Sequence, residues 1–289
     1  MAKPAANKPN VGGGSGDRVG VVGLGIIGSV WAQKYDEAGL LAGAWSRTPR
    51  SDAPRQLEAA ASVARESSIV HIVVTDPPAV TAVLESMLPE LRPRHLVIQS
   101  TTIDPDSSER FARNVAARGA HYLEAPFMGS RPAAEQGKTV FLLGGGVDAI
   151  ERADAVLGHL SQLRHRVGTE RQAATLKLCL NLQVAIMMEG ICESLHAARQ
   201  AEIPEATFFD VLRSTALWSG FQALKEPKLR EGDFSPQFSV KHMLKDVRLA
   251  TTMTFATKLP LGTAVQARLE DLVAKGLEGQ DIAALIATL

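Results

Sequence analysis

Two cysteines in 289 residues leave little room for a covalent framework. Cys179 and Cys192 fall in one predicted helix, thirteen positions apart. That separation is roughly 20 Å along a helix, too far for a disulfide unless the helix unfolds. With no disulfide or metal-ligand spacing to read, a reducing, cytoplasmic setting is expected. Net charge is lacking as well, since 31 Lys and Arg balance 31 Asp and Glu. No surplus of positive charge is available to drive binding to nucleic acid or to a membrane surface. No apolar run reaches the ~18 residues of a membrane span. Residues 1–17, MAKPAANKPNVGGGSGD, have no apolar signal-peptide core, and their Pro, Asn, Gly and Ser read as a disordered arm. Internal repeats and long low-complexity stretches are also missing.

What is present starts at Arg18. Val19 to Val22 reads as a short buried strand, followed by Gly23-Leu24-Gly25-Ile26-Ile27-Gly28 and then a helix to Ala38. On a strand–turn–helix the G-x-G-x-x-G spacing has a physical logic. Gly23 permits the tight turn, Gly25 lets a pyrophosphate approach the backbone, and Gly28 lets the helix pack on the strand. The first helix N–H groups then face the phosphates. A second strand, Leu41 to Trp45, follows at the βαβ distance. A carboxylate at its end would bind the ribose 2′-OH of NAD. The run there is Trp45-Ser46-Arg47-Thr48, with no acid. Arg47 is suited to a 2′-phosphate, with Ser46 and Thr48 as neutral donors, so NADP(H) is expected. The plain alternative is a solvated loop arginine.

The βαβ rhythm continues. Strands are expected at Ile69–Val74, Leu96–Gln99, His121–Ala125 and Thr139–Leu143, with helix starts after Asp76 and Asp104. His71, inside the first of these, reads as a core histidine. This predicts a doubly wound, mainly parallel α/β Rossmann domain over 18–169. From Glu170 to about Gln200 there is no proline, which predicts a long interdomain helix. Residues 201–289 read as an all-helical domain, with helices near 205–214, 239–257, 263–275 and 281–288. A cleft is expected between the two domains. Lys177 and Asn181 sit i,i+4 on one face of the long helix. A lysine facing the cleft can protonate a carbonyl oxygen, and the asparagine can orient it. Spacing alone does not separate this from a solvated helix face.

Taken in order, VGLGIIG, SRT after the second strand, QSTTIDP at 99–105, APFMGSRPAAEQGK at 125–138, KLCLN at 177–181 and FSVKHMLKDVRLA at 238–250 resemble the β-hydroxyacid dehydrogenases. The likeness is greatest to the glyoxylate/succinic semialdehyde reductase branch and runs from Arg18 to Leu289. The resemblance implies NADP(H) bound by Gly23, Leu24, Gly25, Ile26, Ile27 and Gly28, with Ser46, Arg47, Thr48, Val74, Thr75, Thr101, Phe238 and Lys245. It implies Lys177 as general acid/base beside Asn181. A small carbonyl substrate would then lie against Thr101, Met128, Gly129, Ser130, Lys177, Asn181 and Asp246. It also implies a homodimer or homotetramer with contacts through the helical domain.

There are departures from the pattern. The family usually presents a hydroxyl where Met128 stands, which weakens any carboxylate site, and Glu124 replaces its usual Asp. A 3-hydroxyisobutyrate-type dehydrogenase is an alternative. So is an imine reductase, although that branch generally lacks a lysine at position 177. The 6-phosphogluconate dehydrogenases carry a His where Leu180 stands. A non-catalytic NADP-binding interaction module is the alternative of another class, and retention of Lys177 argues against it.

Overall fold

The computed structural model describes residues 16–255 and 258–289. Most of the arm expected at 1–17 therefore lies outside the described residues. Its last residue is not loose, however. Arg152 donates to both Asp17 oxygens, at 2.6 and 3.0 Å, and Ser68 Oγ donates to Asp17 Oδ1 at 2.6 Å. The partners lie 51 and 135 positions away, so no local signal marked this anchor.

The first half alternates β1 (Val19–Val22), α1 (Ile26–Glu37), β2 (Leu41–Trp45), α2 (Ala60–Glu66), β3 (Ile69–Ile72), α3 (Pro77–Met87), β4 (Leu96–Gln99), α4 (Pro105–Ala116) and β5 (His121–Glu124). It continues with β6 (Phe127–Met128), α5 (Arg131–Glu135), β7 (Val140–Gly145), α6 (Val147–Leu157) and β8 (Leu163–Gly168). The sheet order is β2-β1-β3-β4-β5-β7-β6, with β8 pairing β7. The first five strands are parallel; β7 runs antiparallel to β5 and β6, and β8 parallel to β7. The chain leaves β1 for β2 on one side and returns to β3 on the other. The C-terminal ends of β1 and β3 therefore frame the switch point, where α/β sheets bind ligands. Apolar clusters fill both faces of this sheet. His71 is buried among them, stacked on Trp31 and hydrogen-bonded to Tyr35 and Ser100. Burial pushes its imidazole down to about 3.

The second half opens with α7 (Glu170–Gln200), capped by a Thr169/Gln172 capping box. It continues with α8 (Glu205–Arg213), α9 (Gly220–Glu231), α10 (Val240–Thr251), α11 (Pro260–Ala274) and a 3-10 helix, Ile282–Thr288. By length and composition α7 could cross a membrane, contrary to the reading of apolar runs. Its apolarity has another use here. It packs on β7 and α4 of the first half and on α10 and α11 of the second. The expected helix 239–257 ends at Thr251; α9, β6 and β8 were not anticipated.

Candidate active site

The glycine turn is shaped by close approach. Gly23 has φ +105°, and a Cβ there would meet the Val73 carbonyl oxygen at 2.1 Å. A Cβ on Gly28 would stand 1.9 Å from the Gly23 carbonyl oxygen. Gly25 differs, because a Cβ there meets no protein atom. Its lack of a side chain serves the open side of the turn, where a ligand would approach. Gly25 is also the α1 N-cap and supplies no side-chain cap, and no acid occupies the first turn. The N–H groups of Ile26, Ile27 and Gly28 thus begin a helix whose positive end is left for an anion. Leu24 is buried under the turn, and Gly23 N–H donates to the Trp45 carbonyl, tying the turn to the end of β2.

Beyond β2, Ser46 is turned onto its own loop, its hydroxyl donating to the Thr48 carbonyl at 2.7 Å. Arg47 and Thr48 are exposed. The loop carries a second guanidinium that the motif reading missed. Arg50 donates to the Leu24 carbonyl at 3.3 Å and forms a two-point ion pair with Asp52, at 2.8 and 3.0 Å. Its charge thus sits against the glycine turn. Only an arginine in a polar loop was visible in sequence.

At the other side of the switch point Thr101 joins two strand ends. Its Oγ1 accepts from Val74 N–H at 2.9 Å, while Thr75 is exposed and donates to Asp76. These residues and the glycine turn would hold a nicotinamide dinucleotide, and the open Gly25 and uncapped α1 fit one. Such a group supplies a hydride donor when bound.

Lys177, Asn181, Asp246 and Lys245 form one continuous chain. Lys177 Nζ donates to Asn181 Oδ1 at 3.0 Å, and Asn181 Nδ2 donates to Asp246 Oδ2 at 2.6 Å. Lys245 Nζ is 2.7 Å from Asp246 Oδ1 and donates across the domains to the Thr102 carbonyl at 2.9 Å. The Lys177 ammonium also points at Met128 Sδ, 3.3 Å away, and stands 5.7 Å from the centre of the Phe127 ring. An ammonium has three donors; Asn181 and Met128 take two, leaving one for a carbonyl oxygen. Burial pushes Lys177 down to about 8; the Asp246 charge opposes this and Lys245 adds to it. An acid in that range can both give and regain a proton near neutral pH.

Not every expected residue joins this group. Gly129, at φ +125°, and Ser130 turn the chain into α5, whose Arg131 pairs with Glu135. Phe238 packs on the helical core, with its backbone N–H on Asp281.

A glycine-turn α/β domain sharing a long helix with an all-α domain defines a nicotinamide-nucleotide-binding dehydrogenase fold. Residues 18–173 match the family model of the NAD binding domain of 6-phosphogluconate dehydrogenase. Residues 172–289 match that of the NAD-binding domain of NADP-dependent 3-hydroxyisobutyrate dehydrogenase. The chain belongs to the β-hydroxyacid dehydrogenase family. Its fold resembles 3-hydroxyisobutyrate dehydrogenase from Mycobacterium tuberculosis, with TM-score 0.86 and 22% identity over 94% of this chain and 98% of that one. The Salmonella typhimurium 3-hydroxyisobutyrate dehydrogenase gives TM-score 0.85 and 24% identity over 94% and 100%. An imine reductase from Myxococcus stipitatus is more distant, with TM-score 0.64 and 19% identity over 94% and 99%. Among curated relatives, the cytokine-like nuclear factor N-PAC of Mus musculus is 27% identical over 91% of this chain and 49% of its own. The chain thus spans about half the length of that relative.

Proposed function

We propose that this protein is an NADP(H)-dependent oxidoreductase that reduces a small aldehyde or oxo acid, with Lys177 as general acid. The observation that carries the reading is the buried Lys177–Asn181–Asp246 chain beside the strand ends of the α/β domain. In this reading Asn181, held by Asp246, fixes the Lys177 amine, and the free N–H of Lys177 meets the substrate oxygen. The proton passes from Nζ to that oxygen as the carbonyl is reduced; in the oxidative direction Nζ takes it back. Arg47 and Arg50 favour NADP(H) over NAD(H), because both lie on the loop where the 2′-phosphate would fall. Glyoxylate- and succinic semialdehyde-like substrates are the first to test, and 3-hydroxyisobutyrate-type oxidation or imine reduction comes next. A cytoplasmic homodimer or homotetramer belongs to the same reading.

A second reading, a non-catalytic cofactor-binding module, is favoured by the curated relatives, whose name is that of a nuclear factor. Turnover separates the two. NADPH consumption would be followed with a panel of aldehydes, oxo acids and imines, and NADP+ reduction with hydroxy acids. Turnover that falls by about 10²–10⁴ in Lys177→Ala supports the enzyme. Tight NADPH binding with no turnover of any substrate supports the module.

A further inference from the structure

Glu124 closes β5 and is completely buried, as is Gln99 at the end of neighbouring β4. Burying a carboxyl is costly unless it is hydrogen-bonded, and here three donors surround it. Gln99 Nε2 donates to Oε1 at 2.9 Å; Ser108 Oγ and Tyr122 OH donate to Oε2 at 2.6 and 2.8 Å. An apolar residue would fill a strand end without needing them. What Glu124 does that an apolar residue does not is hold an amide. The second Gln99 Nε2 hydrogen goes to the Thr101 carbonyl at 2.9 Å, and Gln99 Oε1 accepts from Thr101 N–H at 2.6 Å. The Gln99 amide therefore pairs with both backbone groups of Thr101, as a neighbouring strand would. Thr101 in turn receives Val74 N–H, and the next carbonyl, Thr102, receives Lys245. No hydrogen bond joins Glu124 to Lys177 or Lys245 among the described residues.

We propose that Glu124 is a positioning residue: through Gln99 it holds the Thr101–Thr102 backbone where Val74 and Lys245 meet it, and so sets the strand-end wall of the site. Its consequence for turnover rests on the reductase reading above; its consequence for the backbone does not. The test compares Glu124→Ala, Glu124→Gln and Thr101→Ala in two measurements. Amide hydrogen exchange of the 99–102 segment is expected to quicken by about tenfold or more in Glu124→Ala. It should stay at the wild-type rate in Glu124→Gln, whose amide can accept from Gln99 and donate to the two hydroxyls. In kcat/KM for NADPH-dependent reduction, Glu124→Ala and Thr101→Ala should each lose about tenfold, and the double variant little more than the larger single loss.

Unchanged exchange in Glu124→Ala overturns the proposal. So do additive losses, or a Glu124→Gln variant as impaired as Glu124→Ala. Should Glu124→Ala not fold, Gln99→Met takes its place in both measurements. Should the wild-type protein reduce no carbonyl, the reductase reading fails and the exchange result alone decides.

Discussion

A lysine whose ammonium is destabilised by burial is useful as an acid only while it still holds its proton. Lys177 is drawn down to about 8, chiefly by loss of water. Reduction needs the protonated form, so kcat/KM for a carbonyl substrate should be flat below about 8 and fall as pH rises through it. The oxidative direction should rise over the same range. A reductive profile that climbs above pH 8 would remove Lys177 as the acid. Lys177→Ala should lose about 3–5 kcal/mol of transition-state stabilisation and leave NADPH affinity within about threefold. Met128 is the residue most apt to set the substrate. Its sulfur is a weak acceptor facing Lys177, at a position where the resemblance to the β-hydroxyacid dehydrogenases leads one to expect a hydroxyl. Met128 itself offers no donor to a carboxylate placed there. Met128→Ser is therefore expected to raise kcat/KM for glyoxylate by about tenfold, one ordinary hydrogen bond, with little change for an uncharged aldehyde. Equal effects on both substrates would place Met128 away from the carboxylate end. Contacts were legible where spacing was local, as with Lys177 and Asn181 one turn apart, which do meet. Glu124 with Gln99, and Lys245 with Thr102, are meetings made by the fold, and neither leaves a periodic trace.

At the scale of elements, the proposed function assigns the choice of nucleotide to the loop after β2. Arg50 is engaged by Asp52, but that ion pair is exposed to solvent, which screens it and leaves it weak. It does not prevent the guanidinium from swinging to a phosphate. A charge-assisted bond is worth about 1.5–3 kcal/mol, so NADPH should be preferred over NADH by at least about tenfold. Arg47→Ala and Arg50→Ala should each lower the ratio of kcat/KM values, chiefly through the KM for NADPH. An unaltered ratio in both variants would assign the two arginines to solvent. The strand–turn–helix and the Asp76 and Asp104 caps were readable because a few adjacent residues specify them. β8 was not. Its LRHRVG run is mostly exposed at the sheet edge, so burial imposes no apolar pattern on it. Helix α9 does carry a start signal, the Ser219/Gln222 capping box, but Pro227 inside it reads as a break. Its buried lysines, Lys225 and Lys228, also erase the usual division into apolar and charged faces.

The whole molecule depends on one helix serving two cores. Leu178, in the N-terminal third of α7, packs with Ala250 and Met253 of the helical half, while Ala173, a turn earlier, lies against Gly144 of β7. Lys177 stands at this join, so its place is set by both halves together. The same sharing predicts that the halves unfold together. The helical half contains a completely buried ion pair, Lys225 Nζ to Asp281 Oδ1 at 2.6 Å. Asp281 also accepts from the backbone N–H groups of Gln237, Phe238 and Ala283, which fixes the turn leading into α10. Removing one partner strands a buried charge, typically at a cost of about 3–5 kcal/mol. The three remaining donors to Asp281 place Lys225→Met at the lower end, about 3 kcal/mol. Trp31 reports on the α/β core in a Trp45→Phe, Trp218→Phe background, and far-UV ellipticity reports chiefly on the helices. In urea the two signals should share one midpoint, and Lys225→Met should lower both equally although it touches only the helical half. If the ellipticity midpoint moves and the Trp31 midpoint stays, α7 divides into two independently stable pieces, and Lys177 is held by one core alone.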